Sequence, residues 1–490
     1  MNTLAFLGPI GWPELLILAF LGLLIFGKRL PEVGKSAGQF IVSFKKGLKD
    51  TEREVDEAVE NEPKKIENDP SNTTTESTTS DIIARHDHYL SLNYPRYPIA
   101  MVRGEGCRLW DADGKQYLDL FAGFGGGLLG HCHPDLVKAV TEQASTLWHV
   151  GNLFHTEPQT YAAEAISKHG FGGRSFFCHS GADANEAAIK LARLYGKKKP
   201  GPSAKPQAAG RYKIITATGS FHGRTMGTMV ATGQPKVREG FEPLLQGFTH
   251  VPFNDLGAIE QAIDDETIAI MLEPVQGEGG VNIPDENYWP SLRKLCDERD
   301  LVLICDEVWT GCGRTGQYFA HQHWGIKPDI MTLAKGVGGG LAVGVMCAGP
   351  RVAEFYDAKQ HGVKHATTLG GNCIAMAATA AIFRVIERDG LLLHAAAMGR
   401  HVIQRLQAFS KTHPQIKSVR GLGLFIGIDL DPAKDAWFAN ASEVVNQCMA
   451  KGVLINGTQN TILRLAPPLT ATHEELDEGL DVIEAVIAGK

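Results

Sequence analysis

Apolar and polar positions divide the chain into stretches of unlike pattern. From Leu4 to Phe26 almost every residue is apolar, broken by Gly8, Pro9, Pro13 and Glu14. This predicts a helix from near Pro13, a favoured first-turn residue, to Phe26-Gly27, shorter than the roughly 20 residues that normally span a bilayer. Beyond Pro31, the residues Val33, Ala37, Phe40, Ile41, Phe44 and Leu48 recur at helical spacing, with Lys35, Lys45, Lys46 and Lys49 on the other side. A basic amphipathic helix of that kind lies in a membrane interface. Residues 51–80 are polar, acidic and low in complexity, and read as a disordered linker. From Asp81 strands and helices alternate, with apolar β-type runs at 213–217, 267–275, 301–308 and 329–334. The alternation predicts a parallel or mixed α/β sheet with helices on both faces, whose functional residues gather at the carboxyl ends of strands. The stretch 197–210 reads as a solvated surface loop.

Composition adds bounds to this picture. A length of 490 residues implies two or three domains, and 43% hydrophobic with 21% charged residues is ordinary for a globular enzyme. The net charge of −7 argues against nucleic acid as a partner. Nine cysteines, with no C-x-x-C pair, do not read as a disulfide framework or a zinc ribbon, and most of them, such as Cys305 and Cys347, sit in apolar runs as buried reduced thiols. Lys28 and Arg29 follow the apolar stretch instead of preceding it, and no small-residue cleavage site appears, which excludes a secretory signal. Positive residues stay inside, so the N-terminus is expected outside and everything after Lys28 in the cytoplasm, tethered to the inner face of the membrane.

Four polar clusters end apolar runs in the last four hundred residues. LVLICDEV closes on Asp306 and Glu307, two carboxylates that need partners because desolvating a charge is costly. A salt bridge or a metal would each supply one. PDIMTLAKGVGGG sets Lys335 just past a strand and before glycines that admit a flat ligand, as a Schiff-base lysine requires. FFCHSGADANEAAIKLAR passes through Ser180-Gly181-Ala182 into a helix whose free N–H groups suit a phosphate. SFHGRT brings Phe221, His222 and Arg224 together after another strand. A phosphate cradle, a stacking ring, a lysine and a carboxylate form the set that pyridoxal phosphate requires.

Two family resemblances organise these signals. Phe26-Gly27-Lys28-Arg29-Leu30-Pro31-Glu32, Gly38 and Phe44-Lys45-Lys46, with Glu14 near the start of the anchor, resemble the TatA-type subunit of the twin-arginine translocase over about fifty residues. From about 85 to 487, RGEGCRLWDADGKQYLDL, GHCHP, SFHGRT, MLEPVQGEGGV, CDEVWTGCGRTG, PDIMTLAKG, TTLGGN and LRLAPPL resemble the class III (subgroup II) aminotransferases. Within that class, FHGRT, the ATGQ…GFEPL stretch and HVPFND look most like the acetylornithine type.

The resemblance implies fold type I of the pyridoxal-phosphate-dependent transferases. It has a large domain with a mixed, mostly parallel seven-stranded sheet and a smaller α+β domain. The divisions implied are an anchor at 1–50, a linker at 51–80, an N-terminal segment at 81–140, a large domain at 141–375 and a small domain at 376–490. It also implies roles. Lys335 bonds the cofactor and shuttles the proton, Asp306 keeps the pyridine nitrogen protonated, Phe221 stacks on the ring, and the backbone at Ser180, Gly181 and Ala182 holds the phosphate. His222, Val308 and Trp309 complete the cofactor site. Thr368 reaches the phosphate of a neighbouring subunit, so active sites lie at a homodimer interface. Arg464 grips the α-carboxylate of glutamate or 2-oxoglutarate, and Glu278 pairs with that arginine when the amine donor is bound. Arg224 grips the α-carboxylate of acetylornithine, with Thr367 and Tyr94 as further substrate contacts.

Departures from the family are specific. Trp309 stands where glutamine is usual, and tryptophan cannot accept a hydrogen bond. Phe124 stands where ornithine-specific relatives carry tyrosine, which disfavours free ornithine, and Cys373 replaces a proline. The pairs His131/His133 and His321/His323 fall in family motifs or lack further ligands, so no metal is expected. Open alternatives are another ω-amino acid donor (ornithine, 4-aminobutyrate, succinyl-diaminopimelate) and a translocase component carrying the enzyme domain as a passenger.

Overall fold

A computed structural model of the protein describes residues 77–198 and 210–489. The expected anchor and amphipathic helix, and most of the loop at 197–210, lie outside the described residues. No described helix is long and apolar enough to cross a membrane. The linker expectation is corrected at its end, because a helix already runs over Thr79–Tyr89. Thr78 and Asp81 form a reciprocal capping box there, each side chain accepting the other's backbone N–H (3.2 and 3.1 Å).

Seven strands build the central sheet: β1 (Arg174–Cys178), β2 (Lys213–Ala217), β3 (Phe248–Val251), β4 (Thr267–Leu272), β5 (Val302–Asp306), β6 (Ile330–Leu333) and β7 (Gly344–Ala348). Their spatial order is β1-β7-β6-β5-β4-β2-β3, and only β7 runs antiparallel to its neighbours. Strands β4 to β7 are buried throughout, because both faces are covered and successive side chains point to opposite sides. Ile214, Met271 and Ile304 pack with helix α1 (Gly181–Lys198) through Ala188, Leu191 and Ala192. The alternate residues Ile215, Ile270 and Leu303 pack with Trp289 and Leu292 of the helix Tyr288–Glu298. Three of the four β-type runs overshoot their strands: the run at 267–275 stops at Leu272, where Glu273-Pro274 leaves the ladder.

Two smaller sheets flank this layer. Strands at Met101–Glu105, Arg108–Asp111 and Gln116–Asp119 form a meander, to which Val453–Leu454 adds a parallel fourth strand. The C-terminal sheet comprises β8 (Ile416–Leu422), β9 (Phe425–Leu430), β10 (Asn456–Thr458) and β11 (Ile462–Leu465), ordered β8-β9-β11-β10. Helices Leu391–Ser410, Ala441–Ala450 and His473–Ala488 share its core through Leu406, Val444 and Ile483. All nine cysteines are free, and Cys132 alone among them is exposed.

Because β7 is the one reversed strand, the carboxyl ends of the other six share an edge with the start of β7. There Gly344 has no room for a side chain: a Cβ would press on the Ser180 carbonyl oxygen that opens α1. Gly344→Ala should therefore lower unfolding stability by about 1–3 kcal/mol, measured as a fall in the denaturant midpoint. An unchanged midpoint would show that this edge is slack.

Candidate active site

A cavity of about 380 Å³ opens at that carboxyl edge, a size suited to a small organic ligand. Ser180, Gly181, Ala182, Phe221, His222, Asp306, Val308, Trp309 and Lys335 all line it, so the expected cofactor residues other than Thr368 converge on one space.

Asp306 ends β5 and is 2% exposed. Its Oδ2 accepts from Asn185 Nδ2 (2.7 Å) and from His222 Nδ1 (2.7 Å), and its Oδ1 accepts from the Val308 N–H (3.1 Å). These donors compensate the burial of the carboxylate. Thr332 fixes the Asn185 amide by donating to its Oδ1 at 2.6 Å. Holding Nδ1–H toward the carboxylate leaves the buried His222 Nε2 without a protein partner.

Lys335 leaves β6 after Ala334 in the left-handed region, at φ 50°. That conformation is sterically costly for a residue with a side chain, and such strain persists where surrounding structure enforces it. Its amine lies 3.8 Å from the centre of the Trp309 ring. Burial pulls its pKa from the ordinary lysine range down to about 7. Glu278, Asp306 and Glu273 oppose that fall, and Arg464 adds to it. Glu273, just past β4, accepts from the Phe221 and Gly277 N–H groups (3.1 Å each), and burial pushes its carboxyl up to about 7.

At the start of α1, Ser180 Oγ accepts from the Asp183 N–H (3.2 Å), whereas the first-turn N–H groups of Gly181 and Ala182 have no intrahelical acceptor. Gly181 is tightly packed, since a Cβ there would lie 2.9 Å from Val308 Cγ1. An anion fits this corner of the cavity on both grounds of geometry and helix polarity. The exposed Arg224 guanidinium stands 5.5 Å from the Phe221 ring at the cavity rim.

Beside the cavity, Arg464 on β11 is 1% exposed. Its Nη1 donates to Glu278 Oε1 (2.9 Å) and its Nη2 to Asn456 Oδ1 (2.8 Å), while Nε is buried without a partner. Burial lowers its pKa, opposed mainly by Glu278.

Other expected residues stand apart in this single chain. Thr368 is exposed, and Tyr94 is 65% exposed; neither lines the cavity. Thr367 lines a different cavity and meets His179 Nε2 through its hydroxyl at 3.1 Å. Of the two carboxylates closing β5, Glu307 is structural: it accepts from His321 Nδ1 (3.0 Å), from the Ala320 and His321 N–H groups and from the Thr310 hydroxyl. His131 bonds Asp119 and His323 bonds Thr315, so neither histidine pair forms a ligand cluster. Among the described residues, His401, His473 and Asp477 are the one group within metal-binding reach of each other, and Arg405 also donates to Asp477.

Asn185, Glu273 and Asn456 belong to the site without having been expected from the sequence. Glu273 ends an apolar run just as Asp306 does, so the same rule would have found it. Asn185 lies on α1, one turn beyond Ala182, where a helical position gave no reason to search.

With a pKa near 7, Lys335 is a free amine above neutral pH and a protonated, unreactive one below it. Cofactor-free protein should therefore bond an aldehyde with a rate that rises through about pH 7 and levels off by about pH 8. Stopped-flow absorbance against a Lys335→Ala blank measures this; a rate still climbing at about pH 10, as for an ordinary lysine, would contradict the site's electrostatics.

Comparison with known proteins agrees with this geometry. Residues 89–487 match the family Aminotransferase class-III, and residues 7–54 match the mttA/Hcf106 family. An acetylornithine aminotransferase of Caldanaerobacter subterraneus subsp. tengcongensis is 46% identical over 407 residues, covering 83% of this chain and 99% of the relative. One from Methanocaldococcus jannaschii is 43% identical, covering 80% and 94%. The crystal structure of ornithine aminotransferase from Toxoplasma gondii superposes with a TM-score of 0.78 at 29% identity, covering 84% of this chain and 95% of that one. The chain thus belongs to the class-III aminotransferases, and it carries an mttA/Hcf106-type segment ahead of the enzyme domain.

Proposed function

We propose that this protein is a pyridoxal-phosphate-dependent transaminase that moves the distal amino group of N2-acetyl-L-ornithine to 2-oxoglutarate, giving N-acetyl-L-glutamate 5-semialdehyde and L-glutamate. The observation that carries the reading is the convergence of Lys335, Asp306 and the first turn of α1 on one cavity. When bound, the cofactor supplies an aldehyde that exchanges amino groups and a ring that accepts electrons from a breaking C–H bond.

The chain's own residues prepare that chemistry. Gly181 and Ala182 N–H groups would hold the phosphate, and Phe221 would cover a ring face. The Asp306 carboxylate, fixed by Asn185 and His222, would hold a proton on the ring nitrogen. Lys335, with its amine tuned to about 7, would hold the aldehyde and, once freed, would be the base that takes the proton from the substrate carbon. The Glu278–Arg464 pair serves both half-reactions. With the amine donor present Glu278 neutralises Arg464, and with 2-oxoglutarate it yields the guanidinium to a carboxylate. Arg224, at the rim, binds the donor's α-carboxylate; Thr367 and Tyr94, which stand apart from this cavity in the single chain, would reach the substrate across the homodimer interface.

Thr368, exposed in the single chain, serves a partner's phosphate in a homodimer with active sites at the interface. The mttA/Hcf106-type segment tethers the enzyme to the cytoplasmic face of the membrane and offers a contact for translocase subunits. Ornithine is the second reading, favoured by the likeness to ornithine aminotransferase, against which stands Phe124 in place of tyrosine.

Steady-state kcat/KM across acetylornithine, ornithine, 4-aminobutyrate and succinyl-diaminopimelate separates these donors. Acetylornithine is expected to be fastest, and a rank among the slowest would sink the assignment. Arg464→Ala should raise the KM for 2-oxoglutarate on the order of a hundredfold; an unchanged KM would remove Arg464 from that role.

A further inference from the structure

Trp309 replaces a polar residue with a large buried ring at the centre of the site, and its surroundings are built for it. The indole is 6% exposed and stacks on Phe425, with centroids 5.1 Å apart and planes 14° from parallel. Two glycines make its room. A Cβ at Gly277 would fall 2.6 Å from Trp309 Cδ1, and one at Gly125 would fall 3.0 Å from its Cζ3. The same ring takes two cations: Lys335 Nζ at 3.8 Å and Arg464 Cζ at 4.6 Å from its centroid. Arg464 also lies 5.2 Å from the Phe121 ring, so its guanidinium rests between aromatic neighbours as well as on Glu278 and Asn456.

A desolvated cation gains most from an aromatic face where water cannot compete. Two cations so close repel each other, and a shared electron-rich ring offsets part of that cost while fixing their separation. We infer that Trp309 is a positioning residue whose indole is a common platform for the Lys335 amine and the Arg464 guanidinium, holding the two in register. This rests on the transaminase reading above. The platform gives Arg464 a support that does not depend on Glu278. When Glu278 leaves its ion pair to admit a dicarboxylate, Asn456 and the aromatic faces keep the guanidinium in place. Lys335 stays registered on the same ring, so the amine and the carboxylate anchor keep one spacing for both substrates. The glutamine usual at this position has no aromatic ring, so it would meet these cations through its amide oxygen and not through a shared ring face.

The test compares Trp309→Phe with Trp309→Leu in the full-length chain. Both replacements are apolar and smaller than tryptophan, so they open similar space and differ in the ring face. Cofactor-free protein is mixed with pyridoxal phosphate alone, and the pH midpoint of aldehyde uptake is read by absorbance. The KM for 2-oxoglutarate is measured on the reconstituted enzymes. The platform favours the charged amine, so the Phe variant should have a midpoint about half a pH unit above the Leu variant. The Leu variant's KM for 2-oxoglutarate should exceed the Phe variant's by about three- to tenfold. Equal midpoints in the two variants overturn the proposal, whether or not KM moves. If the Leu variant fails to fold, Trp309→Met gives the same comparison. The uptake measurement uses no amine donor, so an error in the donor assignment leaves this test intact.

Discussion

The site depends on taking one amine out of water. Lys335 is held where desolvation outweighs the pull of three carboxylates, and the balance leaves it near neutrality. A lysine at its ordinary pKa would be a poor nucleophile at cellular pH, and one buried with no acid nearby would be neutral but unsteered. Every element around the cavity maintains this balance. Strands β4, β5 and β6 deliver Glu273, Asp306 and Lys335 at their carboxyl ends, and β11 brings Arg464 from the smaller C-terminal sheet.

Rigidity at this edge comes from charges that are individually costly to bury. Asp306 is fixed by donors from α1 and from the loop after β2, Glu273 by two backbone N–H groups, and Arg464 by Glu278, Asn456 and aromatic rings. Each buried ionic group therefore has partners on a different element, so the parts must assemble in one arrangement to satisfy all of them. The left-handed backbone at Lys335 belongs to the same constraint, since the chain must turn sharply at the end of β6 to point the amine into the cavity.

Much of this was legible along the chain because strands buried on both faces read as unbroken apolar runs. The runs holding β2, β4, β5 and β6 stand out, and the polar residues that end them are the site. What stayed hidden has physical reasons. The strand at Phe248–Val251 is half-exposed and short, and Asn185 sits on a helix where only the three-dimensional turn brings it under Asp306. The histidine pairs had no sequence signature of their true partners, which lie 12 or 14 residues away along the chain for His131 and His321. Trp309 was legible as a departure from the family, but its use was not, since the cations that rest on it come from separate strands.

The central claim is that a single lysine, chosen by its surroundings, carries the cofactor. Borohydride reduction of the holoprotein followed by peptide mass mapping tests it directly, because reduction makes the bond to the cofactor permanent. One pyridoxyl mark per chain is expected, on the peptide that contains Lys335. A mark on any other lysine, or none, would contradict it.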